Sequence, residues 1–295
     1  MQDNLFVSGH TACAGCGQSM AARIVLNAAG HNTIIANATG CLEVFSTGFP
    51  YTSWCVPWIH SVFENTAAVA SGVEVALKHL GKKDAVNVIA QGGDGGTADI
   101  GFQALSGMLE RGQDVLYVMY DNEAYMNTGI QRSGMTPLYA STTTSPAGKR
   151  SLGNPGSKKN MAAICAAHNI PYSATASVGY PRDIEKKVKK ALSVKGPKFL
   201  HIIVPCPLGW RHDASLTDRV AKLVVETGLF AVVEYENGKL TNAMKFKELK
   251  PVTEFLKTQG RFKHLMKESP EVKEALEHLN KIVEYNIEQY DILKK

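Results

Sequence analysis

At 295 residues, 44% of them apolar, the chain is long enough for one large α/β domain with appendages. Its formal net charge of +5 is modest, and its lysines lie mostly among acidic residues in helical stretches, which argues against a nucleic-acid partner. No stretch approaches the ~20 apolar residues that cross a bilayer, Met1-Gln2-Asp3-Asn4 lacks the basic and apolar regions of a signal peptide, and six cysteines without a secreted-scaffold spacing suit a reducing compartment, so no membrane and a cytoplasmic location are expected.

Residues 1–16 read as an irregular arm carrying Cys13-Ala14-Gly15-Cys16. A helix is predicted over 18–29, ended by Gly30, then a short strand over 34–38 that delivers Thr39-Gly40-Cys41-Leu42. The aromatic and proline-rich stretch 48–59 reads as a loop, and 60–80 as a long apolar helix closed by Gly81. The run Ala85-Val86-Asn87-Val88-Ile89-Ala90 has the brevity and β-branching of a buried strand, and is followed by Gly92-Gly93-Asp94-Gly95-Gly96, whose glycines let the backbone approach a ligand closely. A helix over 100–110 and a second buried strand over 115–120 complete a parallel strand-helix-strand unit. That unit places Asp94 and Asn122 at the carboxyl ends of two parallel strands, where open α/β sheets bind ligands.

A polar loop rich in Ser, Thr, Gly and Pro covers 131–160, a length that points to function or to a partner. Helices over 160–168 and 183–192 and a strand over 199–204 then lead to Pro205-Cys206-Pro207. The alternation gives a doubly wound, mostly parallel sheet. Beyond Trp210 the pattern changes to a helix over 215–227, two strands within 230–240 turning at Asn237-Gly238, and one or two amphipathic helices over 268–294. The predicted division is therefore a cofactor-binding part, 1–210, and a helical and hairpin extension, 211–295.

One carboxylate and one amide, Asp94 and Asn122, are hard oxygen ligands suited to a magnesium ion that also holds phosphate. Cys13, Cys16, Cys41 and Cys206 could hold zinc or a 4Fe-4S cluster, and Cys13–Cys16 alone could be a redox dithiol. The polar Ser8-Gly9-His10-Thr11 ahead of the pair is unlike the buried strand that precedes thioredoxin-type dithiols. Cys165 lies in an apolar helical stretch and reads as a buried small hydrophobe, as does Cys55.

Gly-Asp-Gly followed about thirty residues on by Asn matches the thiamine diphosphate signature. With Tyr120-Asp121-Asn122-Glu123-Ala124-Tyr125-Met126-Asn127-Thr128-Gly129 and Pro205-Cys206-Pro207-Leu208-Gly209-Trp210, the chain resembles the β chains of the 2-oxoacid:ferredoxin oxidoreductase family, in its pyruvate-using branch, over nearly its whole length. The resemblance implies Mg2+ held by the Asp94 and Asn122 side chains and the Ala124 carbonyl. It implies a cofactor cradle of Gly40, Cys41, Gly93, Asp94, Gly95, Gly96, Asn122, Ala124, Asn127 and Thr128, with a 4Fe-4S cluster on Cys13, Cys16, Cys41 and Cys206. Asn127 would lie near the thiazolium and the substrate. By the same resemblance pyruvate loses CO2, electrons pass singly to the cluster and on to ferredoxin, and coenzyme A takes the acyl group.

Partners implied are α-, γ- and δ-type subunits, and the glutamate that activates thiamine is expected on the α chain. Glu64 is the local candidate for that role, set against a simple place in the pocket helix. His60 and His10 are weighed as site-lining and cluster-tuning residues, and Arg132, Lys149 and Arg150 as contacts for carboxylate or phosphate. The tail at Thr258-Gln259-Gly260-Arg261-Phe262 resembles the family's C-terminal arm. Alternatives are the same chemistry on oxalate, 2-oxoisovalerate or 2-oxoglutarate, a non-redox thiamine lyase, and a zinc or iron-sulfur module.

Overall fold

The structure, a computed structural model, describes residues 4–48 and 50–294; Met1–Asp3 of the predicted arm, Phe49 of the predicted loop and the terminal Lys295 lie outside the described residues. Strands β1 (Thr33–Asn37), β2 (Trp58–His60), β3 (Asn87–Gly93), β4 (Leu116–Asp121), β5 (Tyr172–Ser177), β6 (Lys198–Ile203), β7 (Val233–Glu236) and β8 (Lys239–Ala243) form one sheet in the order β2-β1-β3-β4-β6-β5-β7-β8. Every pairing from β2 through β5 is parallel, and β7 and β8 add antiparallel at one edge. The doubly wound, mostly parallel sheet is as predicted.

Strand β4 shows why such a sheet needs cover on both sides: Leu116, Val118 and Tyr120 enter one core and Tyr117 and Met119 the other, all fully buried or nearly so. Helices α1 (Gly17–Ala29) and α6 (Pro181–Ser193) pack together over the first face. Helices α3 (Thr66–His79), α4 (Phe102–Glu110) and α5 (Met161–Ala166) cover the second. A third core joins Ile203 and Trp210 to α8 (Thr217–Glu226), α9 (Val252–Leu256) and the start of α10 (Pro270–Tyr290), so the extension is packed against the sheet.

Two predicted elements differ, and one strand is new. The helix expected over 60–80 begins only at Thr66, because residues 58–60 are drawn into the sheet as β2, with Trp58 opposite Ile35 and His60 opposite Asn37. The loop expected over 48–59 consequently ends in a strand. Strand β5 was not predicted: its sequence Tyr-Ser-Ala-Thr-Ala-Ser carries small residues, and burial between β6 and β7 overrides their weak strand preference. The C-terminal stretch resolves to one helix, α10, started by the Ser269 side chain accepting from the Val272 N–H at 3.3 Å.

β1, β3, β4 and β6 are consecutive neighbours, and their carboxyl ends lead into Cys41, Asp94, Asn122 and Cys206. Four parallel strands thus deliver four of the predicted anchors to one rim of the sheet.

Candidate active site

The turn after β3 is closed by contact. The Thr97 hydroxyl donates to the Gly93 carbonyl at 2.7 Å, and a π-helical turn, Gly96–Ile100, follows before α4 begins. A Cβ on Gly95 would sit 2.3 Å from the Tyr125 ring, too close to fit without a shift, and one on Gly96 would crowd the Phe63 carbonyl at 3.1 Å. Asp94 is buried, and the Ser133 hydroxyl donates to its Oδ2. As placed, the Asn122 side-chain oxygen lies 3.0 Å from Asp94 Oδ1 and 2.8 Å from the Ala124 carbonyl. The Asn122 amide thus meets two acceptor oxygens at one point. Either the amide turns over and its nitrogen donates to both oxygens, or a cation takes the place between them. Burial, and then repulsion from Asp121, push the Asp94 carboxyl well above its ordinary range, so its charged form calls for a compensating cation.

A charged layer lies behind this loop. Asp121 meets His201 Nε2 at 2.7 Å and Lys158 Nζ at 2.6 Å. Glu123, in the left-handed region at φ 69°, joins Lys158 at 2.6 Å and Arg261 at 2.6 Å. Burial opposes the Lys158 charge, but Asp121 and Glu123 outweigh it and its pKa is raised. Burial likewise opposes the Asp121 charge, but Lys158 and His201 outweigh it and hold its carboxyl low. The Arg261 guanidinium stacks 3.8 Å above the Trp210 ring, and Trp210 Nε1 donates to the Asn122 carbonyl at 2.7 Å. The segment that carries Cys206 therefore also fixes the backbone of Asn122.

The N-terminal arm reaches the same rim. The Gly17 N–H bonds the Pro205 carbonyl at 3.2 Å, and the Thr217 hydroxyl donates to the Gly15 carbonyl at 2.6 Å. Gly15 is at φ +70°, and a Cβ there would meet the Ala214 carbonyl at 2.3 Å. Cys41 opens the short helix α2 (Cys41–Ser46), and Cys206 immediately precedes α7 (Pro207–Trp210), where its sulfur accepts from the Gly209 N–H at 3.4 Å.

Burial, then the neighbouring Cys206, Cys16 and Cys13, push the Cys41 thiol up to about 12. Cys16 and Cys206 are raised too, by burial first and partly by the same neighbours. The four sulfurs thus sense one another, yet among the described residues no three His, Cys, Asp or Glu side chains close into a ready metal-ligating group. Cys165 is fully buried, its thiol raised by burial, and Cys55 is exposed.

The other predicted residues divide. The exposed Asn127 comes to Cys41, with Sγ 3.9 Å from its Oδ1. The Thr128 hydroxyl is taken by Gln131 Oε1 at 2.6 Å. Glu64 is exposed just ahead of α3, and its carboxylate forms no ion pair among the described residues. His60 Nε2 meets the Thr39 hydroxyl at 2.8 Å and stacks on Trp58. His10 stacks on Phe6, and burial lowers its pKa. Arg132 donates to Asn154 Oδ1 at 3.2 Å, and Lys149 and Arg150 stand exposed at a surface turn.

Residues 38–202 match the family described as thiamine pyrophosphate enzyme, C-terminal TPP binding domain. The chain is 57% identical over 286 residues to the pyruvate synthase subunit PorB of Methanosarcina barkeri, covering 97% of this chain and 96% of that protein. It is 56% identical to the subunit of that name in Methanocaldococcus jannaschii, over 92% of this chain and 93% of the other. Identity is 50% to the ketoisovalerate oxidoreductase subunit VorB of Pyrococcus abyssi, over 98% of this chain and 92% of that one. A solved 2-oxoglutarate:ferredoxin oxidoreductase from Magnetococcus marinus shares the fold, with TM-score 0.57, 22% identity, and coverage of 72% of this chain and 77% of that one. By the extent and level of these matches, the chain belongs to the thiamine diphosphate-dependent 2-oxoacid:ferredoxin oxidoreductases, as a β subunit.

Proposed function

We propose that the chain is the β subunit of a pyruvate synthase, which converts pyruvate and coenzyme A to acetyl-CoA and CO2 with reduction of ferredoxin, reversibly. The observation that carries this reading is the convergence of Asp94 Oδ1, the Asn122 side-chain amide and the Ala124 carbonyl beside the glycine turn, where the amide can present its oxygen to a cation. These three atoms suit Mg2+, whose remaining positions the cofactor phosphates would fill. Cys13, Cys16, Cys41 and Cys206 suit a 4Fe-4S cluster: desolvation and neighbouring cysteines disfavour the thiolates of Cys16, Cys41 and Cys206, which a cationic centre would offset. When bound, thiamine diphosphate supplies a carbon nucleophile for the 2-oxo carbon and the cluster takes up electrons one at a time.

The work of this chain's own residues is grip and placement. Asp94 supplies the anionic ligand, Ser133 holds its second oxygen, and Trp210 pins the backbone of Asn122. Asn127, beside Cys41, is placed to orient a substrate carboxylate or carbonyl through its amide. Gly40 and Gly93 face open space that the cofactor would enter, Gly95 and Gly96 let the turn close against Tyr125 and Phe63, and Thr128 shapes the turn through Gln131. Glu64 stays a low-ranked activator, since it is exposed ahead of α3; the activating glutamate is assigned to a separate α chain. Subunits of γ and δ type would carry electrons to ferredoxin. A cytoplasmic setting suits the free thiols, and no described helix is long and apolar enough to cross a membrane.

A second reading, 2-oxoisovalerate as substrate, is favoured by the 50% identity to the ketoisovalerate oxidoreductase subunit. The assembled enzyme, assayed with a viologen acceptor, is expected to prefer pyruvate over 2-oxoisovalerate, 2-oxoglutarate and oxalate. Asp94→Asn is expected to weaken thiamine diphosphate binding by about 2–5 kcal/mol, as for loss of one buried partner of a charge pair. Binding as tight as the parent's would remove Asp94 from the magnesium site.

A further inference from the structure

Two buried polar atoms at the start of α3 have no partner among the described residues: Asn65 Oδ1 and Thr66 Oγ1. Thr66 is 1% exposed, and Asn65 is the N-cap residue, yet its side chain makes no capping bond. Both choices are costly for a helix start, where the side chain of an N-cap Asn normally accepts from the first turn and where a buried hydroxyl without a partner forfeits its hydration. The helix runs for 14 residues and has no acidic residue in its first turn, so that turn itself does not offset its positive end.

Its position explains what these groups serve. The Phe63 carbonyl abuts Gly96, where a Cβ would come within 3.1 Å, and the Glu64 carbonyl abuts Gly101, where one would come within 2.8 Å. Residues 63–66 are thus held against the turn that carries Asp94, and the α3 terminus flanks the metal cradle. A hydroxyl donor with no internal acceptor, set at a helix N-terminus beside a cation site, is matched to a phosphate oxygen. On the strength of the cofactor reading above, we infer that Thr66 is a positioning residue whose hydroxyl donates to a diphosphate oxygen of the cofactor.

The inference predicts opposite effects on folding and binding. In the assembled enzyme stripped of cofactor, Thr66→Val swaps an unpartnered hydroxyl for a methyl of the same shape, and Tm is expected to hold or rise. Thiamine diphosphate affinity with Mg2+, measured by calorimetry, is expected to fall about tenfold, the scale of one lost hydrogen bond to a charged group. Thr66→Ser is expected to restore it, and binding of thiamine itself, which lacks the phosphates, to be the same in all three proteins.

An unchanged diphosphate affinity in Thr66→Val, with Asp94→Asn impaired, would overturn this inference and leave the cofactor reading standing. A lower Tm for cofactor-free Thr66→Val would also overturn it, by showing that the hydroxyl has a structural partner. A parent enzyme indifferent to thiamine diphosphate would overturn the cofactor reading, and the inference with it.

Discussion

Trp210 shows how one side chain serves two parts of the site. Its indole N–H holds the Asn122 carbonyl, its face carries the Arg261 guanidinium, and its own segment begins with Cys206. Trp210→Phe keeps a ring under Arg261 but leaves the Asn122 carbonyl without its donor in a buried place. The expected cost is about 1–3 kcal/mol, the desolvation penalty of a lost partner. Heating curves should show a Tm several degrees lower, and titration with thiamine diphosphate a weaker affinity. An identical Tm and affinity would mean that the loop is held without the indole. Asp94, Asn122 and the cysteines were legible in the sequence because their residue types and short-range glycine context carry the chemistry. The Trp210–Asn122 bond was not, since it joins positions 88 residues apart and nothing local marks it. The same is true of Lys158 and Arg261, which as lysine and arginine in polar stretches read as solvated until the fold buries them between Asp121 and Glu123. His201 did leave a signal, a lone imidazole among the apolar Phe199, Leu200, Ile202 and Ile203, which is best explained by a buried partner.

At the scale of elements, the long buried strands and the helices with clear apolar periodicity were readable, while elements made by their neighbours were not. β2 exists because β1 offers a free edge, and β5 because β6 and β7 bury it from both sides. The antiparallel edge also holds a titratable clamp. Glu234 on β7 takes the Tyr172 hydroxyl at 2.7 Å, Lys190 at 2.8 Å and Asn242 at 2.8 Å, from β5, α6 and β8. Burial opposes the Glu234 charge, but these donors outweigh it and hold its pKa down to about 2, against an ordinary 4.5. A folded pKa below the unfolded one stabilises the fold above the unfolded value, and that contribution is lost as pH falls toward the folded one. Stability should therefore be level in this respect above pH 4.5 and decline toward pH 2, and Glu234→Gln should be less stable at neutral pH with a shallower acid slope. Denaturant titrations at several pH values measure both. Parallel slopes for parent and variant would show that Glu234 is not differentially ionised on folding.

For the whole molecule, the sequence pattern divides at 210, whereas the packing runs across that point. Ile203 and Trp210 share a core with Val220, Leu223, Phe255, Phe262 and Leu279, and Arg261 crosses back to Glu123 in the cofactor loop. A chain ended after Trp210 would lose most of that core, with about 1.5–3 kcal/mol at stake for each large apolar side chain returned to water. Glu123 would lose Arg261 and be left with Lys158, which Asp121 shares beside His201. Removing one partner from a buried charge network typically costs a further ~3–5 kcal/mol, since the remaining charge stays desolvated. Together these losses rival the entire stability of an ordinary domain, roughly 5–15 kcal/mol. The truncated chain is therefore expected to lack a cooperative unfolding transition by circular dichroism and to be cleaved rapidly by protease, even with thiamine diphosphate and Mg2+ present. A fragment 1–210 that unfolds cooperatively and binds the cofactor would make residues 211–295 a dispensable extension. Arg261→Leu separates the two contributions, because it keeps the core and removes only the charge: it should fold, with a lowered Tm, and with weaker cofactor binding as Glu123 shifts toward Lys158.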